Sequence, residues 1–263
     1  STLRDKIAIC GYHGWHDWYL AANLSESSGL NAHLLPGLDP AGVPSALTGN
    51  TLTFHYNNLA ELDALIAAHG SELAAIVMEP TRFVDPAPGF LEGVRERCDQ
   101  IGARLIFDEI SIGWRLCLGG AHRKFGVNPD IAVFAKALGN GFPIGAIIGT
   151  SAVMQAAQTS FISSTFWTEG VGPAAALACV KKMMTHDVPA HLKKIGTLVT
   201  EGWQSLGSKH GLSVKTPGRP ELALLAFDHP ESAALTTLMT ARMLNRGYLA
   251  AGGFNAMLAH EPR

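Results

Sequence analysis

The sequence predicts an α/β fold in which a mainly parallel sheet is flanked by helices and followed by a smaller α+β C-terminal lobe. Between residues 6 and 149, short apolar runs rich in β-branched residues alternate with segments of helical period, as in successive β-α-β units. The 263 residues, 47% of them hydrophobic, are enough to bury the core of a large domain. The pattern changes near residue 188. We therefore predict a large domain at 1–187 and a lobe at 188–263.

The elements of the large domain follow from periodicity and from turn residues. Residues 6–10, K-I-A-I-C, indicate a strand that stops at Gly11. Residues 23–58 are rich in Gly, Pro, Asn and Ser and indicate a long excursion over the surface. Apolar residues at helical spacing and β-branched runs then alternate. They predict helices at 59–69, 89–101 and 172–185 and strands at 74–78, 105–107, 131–134 and 146–149.

The lobe is predicted from the same signals. A long amphipathic helix runs from residue 188 to about residue 210, and residues 221–227 indicate a strand. A second helix is expected at 231–245, followed by a short apolar run at 248–251. This mixture is typical of a small α+β lobe.

The composition indicates a small-molecule partner. A net charge of −2 and a pI near 6.6 provide no basic surface for nucleic acid or for an anionic membrane. The four cysteines, at positions 10, 98, 117 and 179, form no C-x-x-C pair, so we expect reduced thiols and a cytoplasmic protein. No run reaches the roughly 18 apolar residues that a membrane span needs.

Two charged residues end neighbouring predicted strands. Asp108 follows the run at 105–107, and Lys136 follows the run at 131–134. Ligands of open α/β sheets lie outside the carboxyl ends of the strands, so these side chains should face one crevice. An amine and a carboxylate in one crevice suit pyridoxal phosphate, an aldehyde with a ring nitrogen. The alternative is that both are ordinary solvated charges at strand ends.

An aromatic segment follows the first strand. Residues 12–18, Y-H-G-W-H-D-W, could cover a flat ring, and they could equally form a packed aromatic corner. A metal site is a further interpretation, because His13, His16 and Asp17 are possible ligands. No further His or Cys cluster in the sequence completes such a set, so we predict no metal.

Two segments carry a resemblance to a known family. Residues 105–109, L-I-F-D-E, and residues 134–145, F-A-K-A-L-G-N-G-F-P-I-G, resemble the signature segments of the class III pyridoxal-phosphate aminotransferases, a group that includes glutamate-1-semialdehyde aminomutase. The resemblance implies the fold type I large domain of pyridoxal-phosphate enzymes. It also implies that Asp108 holds the pyridine nitrogen and that Lys136 forms a Schiff base with the cofactor.

The same resemblance implies further cofactor contacts. Tyr12 and His13 open a Y-H-G motif, whose aromatic residue stacks on one face of the cofactor in the family. Ile110 falls where the family has a branched apolar residue on the opposite face. Thr165, which precedes an aromatic residue, matches a threonine that reaches the cofactor phosphate of the neighbouring subunit, and Thr168 is the second match.

The function implied by the resemblance is amino-group transfer from an amino donor to a carbonyl acceptor, in a homodimer with shared sites. An aminomutase, which moves the amino group within one molecule, would use the same residues. A cofactor-free dimeric scaffold is a third interpretation. Family members carry additional sequence before this region, including a Gly-Ser phosphate loop, so we expect the chain to be truncated at its N-terminus.

Overall fold

The structure, a computed structural model, describes residues 1–25, 29–31, 33 and 37–262. The chain divides into two compact units. The first consists of Ser1–Thr81, Pro86–Gly113 and Gly119–Cys179, and the second of Arg82–Asp85, Trp114–Leu118 and Val180–Arg263. The main segment of the second unit thus begins earlier than residue 188.

A six-stranded sheet forms the centre of the first unit. Its strands are β1 (Lys6–Cys10), β2 (Thr51–Thr53), β3 (Leu73–Met78), β4 (Arg104–Asp108), β5 (Ile131–Phe134) and β6 (Ala146–Gly149). They lie in the order β2-β1-β3-β4-β5-β6, and only the β5–β6 pair is antiparallel within this sheet. The predicted α/β fold with a mainly parallel sheet is confirmed.

Helices connect these strands. In the first unit they are α1 (Asp17–Leu20), α2 (Ala22–Ser25), α3 (Leu59–His69), α4 (Phe90–Ile101), α5 (His122–Phe125) and α6 (Ser151–Met154), with short 3-10 turns at Ser45–Leu47, Lys136–Leu138 and Gln155–Thr159. Helix α7 (Val171–Thr185) continues into the second unit. Asn58 caps α3 by accepting a hydrogen bond from the backbone N–H of Glu61, and Gly102 ends α4 in the left-handed conformation.

The central strands of the sheet are buried on both faces, whereas β6 is largely exposed. Alternate residues of a strand point to opposite faces, so Ile76 and Met78 of β3 pack in one apolar cluster with Val94 of α4. Val77 lies in a second cluster with Tyr19. Because helices and loops cover both faces of these strands, polar side chains lie at the end of the sheet where the parallel strands have their carboxyl ends.

One part of the predicted surface excursion is wrong. Residues 51–53 of the 23–58 segment form β2, which pairs in parallel with β1 and extends the central sheet. Thr51 is buried there, and its hydroxyl donates to the backbone carbonyl of Trp18. A three-residue strand beside Gly49 and Asn50 is too short to produce a period of its own.

The second unit contains two long helices and two small sheets. Its elements are α8 (Val188–Lys209), α9 (Ser232–Leu244), β7 (Val214–Lys215), β8 (Leu222–Leu224), β9 (Ala226–Phe227) and β10 (Gly253–Asn255). The single strand predicted at 221–227 is wrong, because β8 pairs with β10 and β9 pairs with β7. Across the ranges that the structure describes, no helix combines the length and apolar character needed to cross a bilayer.

Candidate functional site

The two charged residues predicted for the active site lie at the same end of the sheet. Asp108 is the last residue of β4, and its register partner on the parallel strand β5 is Val133. Lys136 follows β5 directly after Phe134 and Ala135. A carboxylate and an amine therefore project from the carboxyl ends of adjacent parallel strands, where α/β sheets bind ligands.

The carboxylate of Asp108 is held in a fixed orientation. The residue is 8% exposed, its Oδ1 accepts a 3.0 Å hydrogen bond from the backbone N–H of Ile110, and its Oδ2 lies 2.9 Å from Nδ1 of His13. Nε2 of His13 lies 3.2 Å from the carbonyl oxygen of Cys10. Since β3 separates β1 from β4, His13 reaches across one strand to orient the acid.

Lys136 has an unusual backbone conformation. Its φ of +45° lies in the left-handed region, which costs a residue with a Cβ about 1–2 kcal/mol. Its Nζ donates a 2.7 Å hydrogen bond to Oγ of Ser111. Such backbone strain persists where the surroundings fix it, and it occurs often at binding and catalytic positions.

A glycine brings Ser111 to the lysine. Gly113 lies against the ring of Phe134, and a Cβ there would come within 2.9 Å of that ring and 2.6 Å of the carbonyl oxygen of Glu109. A larger residue would push the turn after β4 away from β5. The close approach therefore sets the position of Ser111 beside Lys136.

Glu109 anchors the following loop. Its side chain is 1% exposed, and Oε2 accepts a 2.8 Å hydrogen bond from the N–H of Ala121. Oε1 accepts from the N–H of His122 at 3.0 Å and lies 2.8 Å from Nδ1 of the same residue. One buried carboxylate therefore ties residues 121 and 122 to the end of β4.

Replacing this carboxylate should destabilise the fold. We expect Glu109→Ala to lower the free energy of unfolding by about 2–4 kcal/mol, because buried N–H donors lose their acceptor. Chemical denaturation followed by circular dichroism measures the change. Glu61→Ala is the matched control, since Glu61 also accepts from a backbone N–H and a histidine ring, both of His55, but at the surface. Equal losses in the two variants would contradict the anchoring role.

Tyr12 belongs to an aromatic cluster. Its ring makes edge-to-face contacts with Trp15, at a centroid distance of 5.4 Å, and with Tyr19, at 5.7 Å. The hydroxyl of Tyr19 donates to the carbonyl of Gly11, which fixes the loop after β1. The cluster thus packs as an aromatic corner, beside the histidine that orients Asp108.

The other predicted contacts differ in their placement. Ile110 is half-buried, and its backbone N–H donates the hydrogen bond to Oδ1 of Asp108. Thr165 is exposed and, across residues 1–25, 29–31, 33 and 37–262, forms no hydrogen bond with another predicted site residue. In the same ranges no group of three or more His, Cys, Asp or Glu side chains could hold a metal ion.

A buried histidine supports the loop after β1. His33 is 6% exposed, and its Nδ1 accepts a 3.1 Å hydrogen bond from the N–H of Gly11. Burial, and then the nearby rings of His55 and His13, lower the pKa of His33 from its ordinary value of 6.5 to about 4. The His33 ring therefore binds a second proton more weakly in the folded chain than in the unfolded chain.

Stability should consequently fall in mild acid. The contribution of neutral His33 is fully present above pH 6.5 and is lost as the pH drops toward 4, because the unfolded state takes up the proton first. We expect the difference in unfolding free energy between wild type and His33→Asn to change by about 2 kcal/mol between pH 7 and pH 4. The asparagine can still accept from Gly11. A difference that stays constant with pH, or the same change in the exposed control His210→Asn, would disprove the assignment.

Burial also makes the thiol of Cys10, at the end of β1, unreactive. Cys10 is 2% exposed, and burial, followed by the charges of Glu79 and Glu61, raises its pKa to about 12. The thiol stays protonated at neutral pH and is no nucleophile. All four cysteines are free thiols, two of them buried.

Comparison with known proteins assigns the family. The family described as aminotransferase class-III matches residues 2–257. This chain belongs to the class III aminotransferases. This confirms the family that the two sequence motifs indicated, and enzymes of this family use pyridoxal phosphate.

Two curated proteins illustrate the relationship. The chain is 34% identical over 251 residues to the 3-aminobutyryl-CoA aminotransferase of Cloacimonas acidaminovorans, which covers 91% of this chain and 55% of that protein. It is 42% identical over 161 residues to the glutamate-1-semialdehyde 2,1-aminomutase of Desulfovibrio desulfuricans, covering 59% of this chain and 37% of that protein. The chain thus spans about half the length of this 3-aminobutyryl-CoA aminotransferase.

A solved structure has the same fold. The FumI protein of Sphingopyxis sp. MTA144, in its PLP internal aldimine form, superposes with a TM-score of 0.81 at 24% identity. The superposition covers 97% of this chain and 60% of that one.

The side chains present fit pyridoxal phosphate. Lys136 supplies an amine that can bond an aldehyde, and Asp108 supplies a carboxylate that can pair with a ring nitrogen. Both lie at the carboxyl ends of adjacent strands. The strained backbone at Lys136 and the two hydrogen bonds that fix Asp108 indicate preorganisation. Sequence reasoning missed Ser111 and the loop anchor Glu109. The only signal for the latter was a second acid directly after Asp108.

Proposed function

We propose that this chain carries the site of a pyridoxal-phosphate-dependent aminotransferase, which moves an amino group from an amino donor to a carbonyl acceptor. The observation that carries the proposal is the placement of Asp108 and Lys136 at the carboxyl ends of the adjacent parallel strands β4 and β5. Family membership supports it. The residues at 1–187 would form the cofactor-binding domain and those at 188–263 its C-terminal lobe.

Each residue of the site has a role in this proposal. When bound, pyridoxal phosphate supplies an electron sink for the carbon that carries the amino group. Lys136 would hold the cofactor through its amine, and the same amine would carry the proton to and from the substrate carbon. Asp108, oriented by His13, would keep the pyridine nitrogen protonated. Tyr12 and Ile110 would flank the ring.

The test is covalent attachment of the cofactor. The purified chain is incubated with pyridoxal phosphate, reduced with borohydride and digested, and the peptides are analysed by mass spectrometry. We expect the pyridoxyl adduct on Lys136. A chain that binds no cofactor, or carries the adduct on another lysine, would refute the proposed site.

We further propose that the chain works as a homodimer and that Thr165 contacts the cofactor phosphate of the partner subunit. The support is a group of exposed apolar side chains in the first unit. They are Phe142, Ile147, Ile148, Phe161, Ile162, Phe166 and Trp167, of which Phe161 is 98% exposed. Exposed apolar surface of this kind commonly marks a protein interface. Light scattering that gives the mass of a single chain would contradict the dimer.

An intramolecular shift of the amino group is the second candidate. The similarity to the glutamate-1-semialdehyde aminomutase fits this alternative. An aminomutase turns over without an added amino acceptor, whereas an aminotransferase stops after one amino transfer. A cofactor-free scaffold would show neither reaction and no adduct.

We also propose a cytoplasmic location. The four free thiols support it, because reducing compartments preserve thiols. Fractionation of the source cells, with the chain detected by antibody, would test it, and recovery outside the cytoplasm would refute it.

A further inference from the structure

We infer that Ser111 is a positioning residue that holds the amine of Lys136 in readiness for the cofactor aldehyde. The inference rests on the proposed function and concerns a residue outside the two motifs that carry the family resemblance. The observation behind it is the 2.7 Å hydrogen bond from Nζ of Lys136 to Oγ of Ser111.

The placement of the hydroxyl is determined by the fold. Ser111 is 8% exposed and lies on the turn that leaves β4, between Asp108 and Gly113. The N–H of Ile110 donates to Asp108, and the N–H of Gly113 donates to the carbonyl of Glu109 at 2.8 Å. The same short turn therefore fixes both the carboxylate that would contact the ring nitrogen and the hydroxyl that contacts the amine.

A hydroxyl suits this position for a chemical reason. It accepts a hydrogen bond from the amine without carrying a charge, and it can rotate its own proton to another acceptor. A carboxylate at the same place would form an ion pair that ties up the amine. Without a partner, the long lysine side chain would sample several rotamers, and fewer of them would point its nitrogen along a productive approach.

The proposal predicts a slower capture of the cofactor in Ser111→Ala. The covalent step joins Nζ to the aldehyde carbon of pyridoxal phosphate, and the aldehyde oxygen leaves as water. We expect its rate constant, followed by absorbance in stopped flow with pyridoxal phosphate as the probe, to fall about 5- to 20-fold, in keeping with one lost hydrogen bond. In steady-state amino transfer, kcat should fall by a similar factor while KM for the amino acceptor changes less than about twofold.

Two variants separate positioning from general damage. Ser111→Thr keeps the hydroxyl and should restore the capture rate to within about threefold of wild type. Thr51→Val removes another buried hydroxyl of the first unit, bonded to Trp18, and should leave the rate unchanged. Capture by Ser111→Ala at the wild-type rate, or equal slowing in Ser111→Ala and Ser111→Thr, would overturn the inference.

The outcome also separates this inference from the proposed function. If wild type forms the pyridoxyl adduct on Lys136 and Ser111→Ala captures cofactor equally fast, only the role of Ser111 falls. If wild type forms no adduct on Lys136, the proposed function falls and the positioning role falls with it.

Discussion

Lys136→Ala should lower the rate of amino transfer by at least about 10³-fold, because in the proposed function one amine is both the covalent anchor and the group that moves the proton. The loss should appear in kcat with the amino donor that wild type uses best from a panel of amino acids and amines. The absorbance band of the bound cofactor should disappear as well. Removal of this side chain also removes its hydrogen bond to Ser111, so stability is measured in parallel by chemical denaturation.

The control for this variant is Lys124→Ala. Lys124 is an exposed lysine of the same unit, on the short helix α5. It should retain wild-type turnover and the pyridoxyl adduct on Lys136. Normal amino transfer by a folded Lys136→Ala chain would end the proposed function.

Much of the sheet could be predicted because its signals are local. Strands β1, β5 and β6 coincide with apolar runs in the sequence, and α4 has the helical apolar face expected of it. The three residues of β2 carry no such period, since only their pairing with β1 makes them a strand. The change of partner between β8 and β9 depends on pairing with the distant strands β10 and β7, which no local pattern encodes.

The candidate site divides in the same way. Asp108 and Lys136 are recognisable because each ends an apolar run, and the family resemblance then implies their roles. The contact between His13 and Asp108 joins residues 95 positions apart, and the contact between Lys136 and Ser111 joins residues 25 positions apart. Such pairings depend on strand order and on the packing of Gly113 against Phe134, so they become visible only in three dimensions.

Asp108→Asn should separate chemistry from folding at the other end of the proposed cofactor. The amide is almost the same size as the carboxylate, and its oxygen can still accept from the N–H of Ile110. Its NH₂ group would then face Nδ1 of His13, which can accept if the ring proton moves to Nε2, 3.2 Å from the carbonyl of Cys10. We therefore expect a folded variant whose unfolding free energy changes by about 1 kcal/mol or less.

Its activity should fall much further, by about 100-fold or more. In the proposed site a neutral amide would no longer favour the protonated pyridine nitrogen, so the stabilisation of charge in the ring would be lost. The adduct on Lys136 should remain, which distinguishes this variant from Lys136→Ala.

Asp130→Asn is the matched control. Asp130 lies at the opposite end of the same two strands and accepts hydrogen bonds from the N–H of Leu105 and from Arg95, each at 2.8 Å. Its loss should reduce stability and leave turnover per folded molecule unchanged. If Asp108→Asn kept wild-type turnover, or if Asp130→Asn lost as much, the carboxylate at the end of β4 would have no specific role. The chemistry would then need an acid other than Asp108.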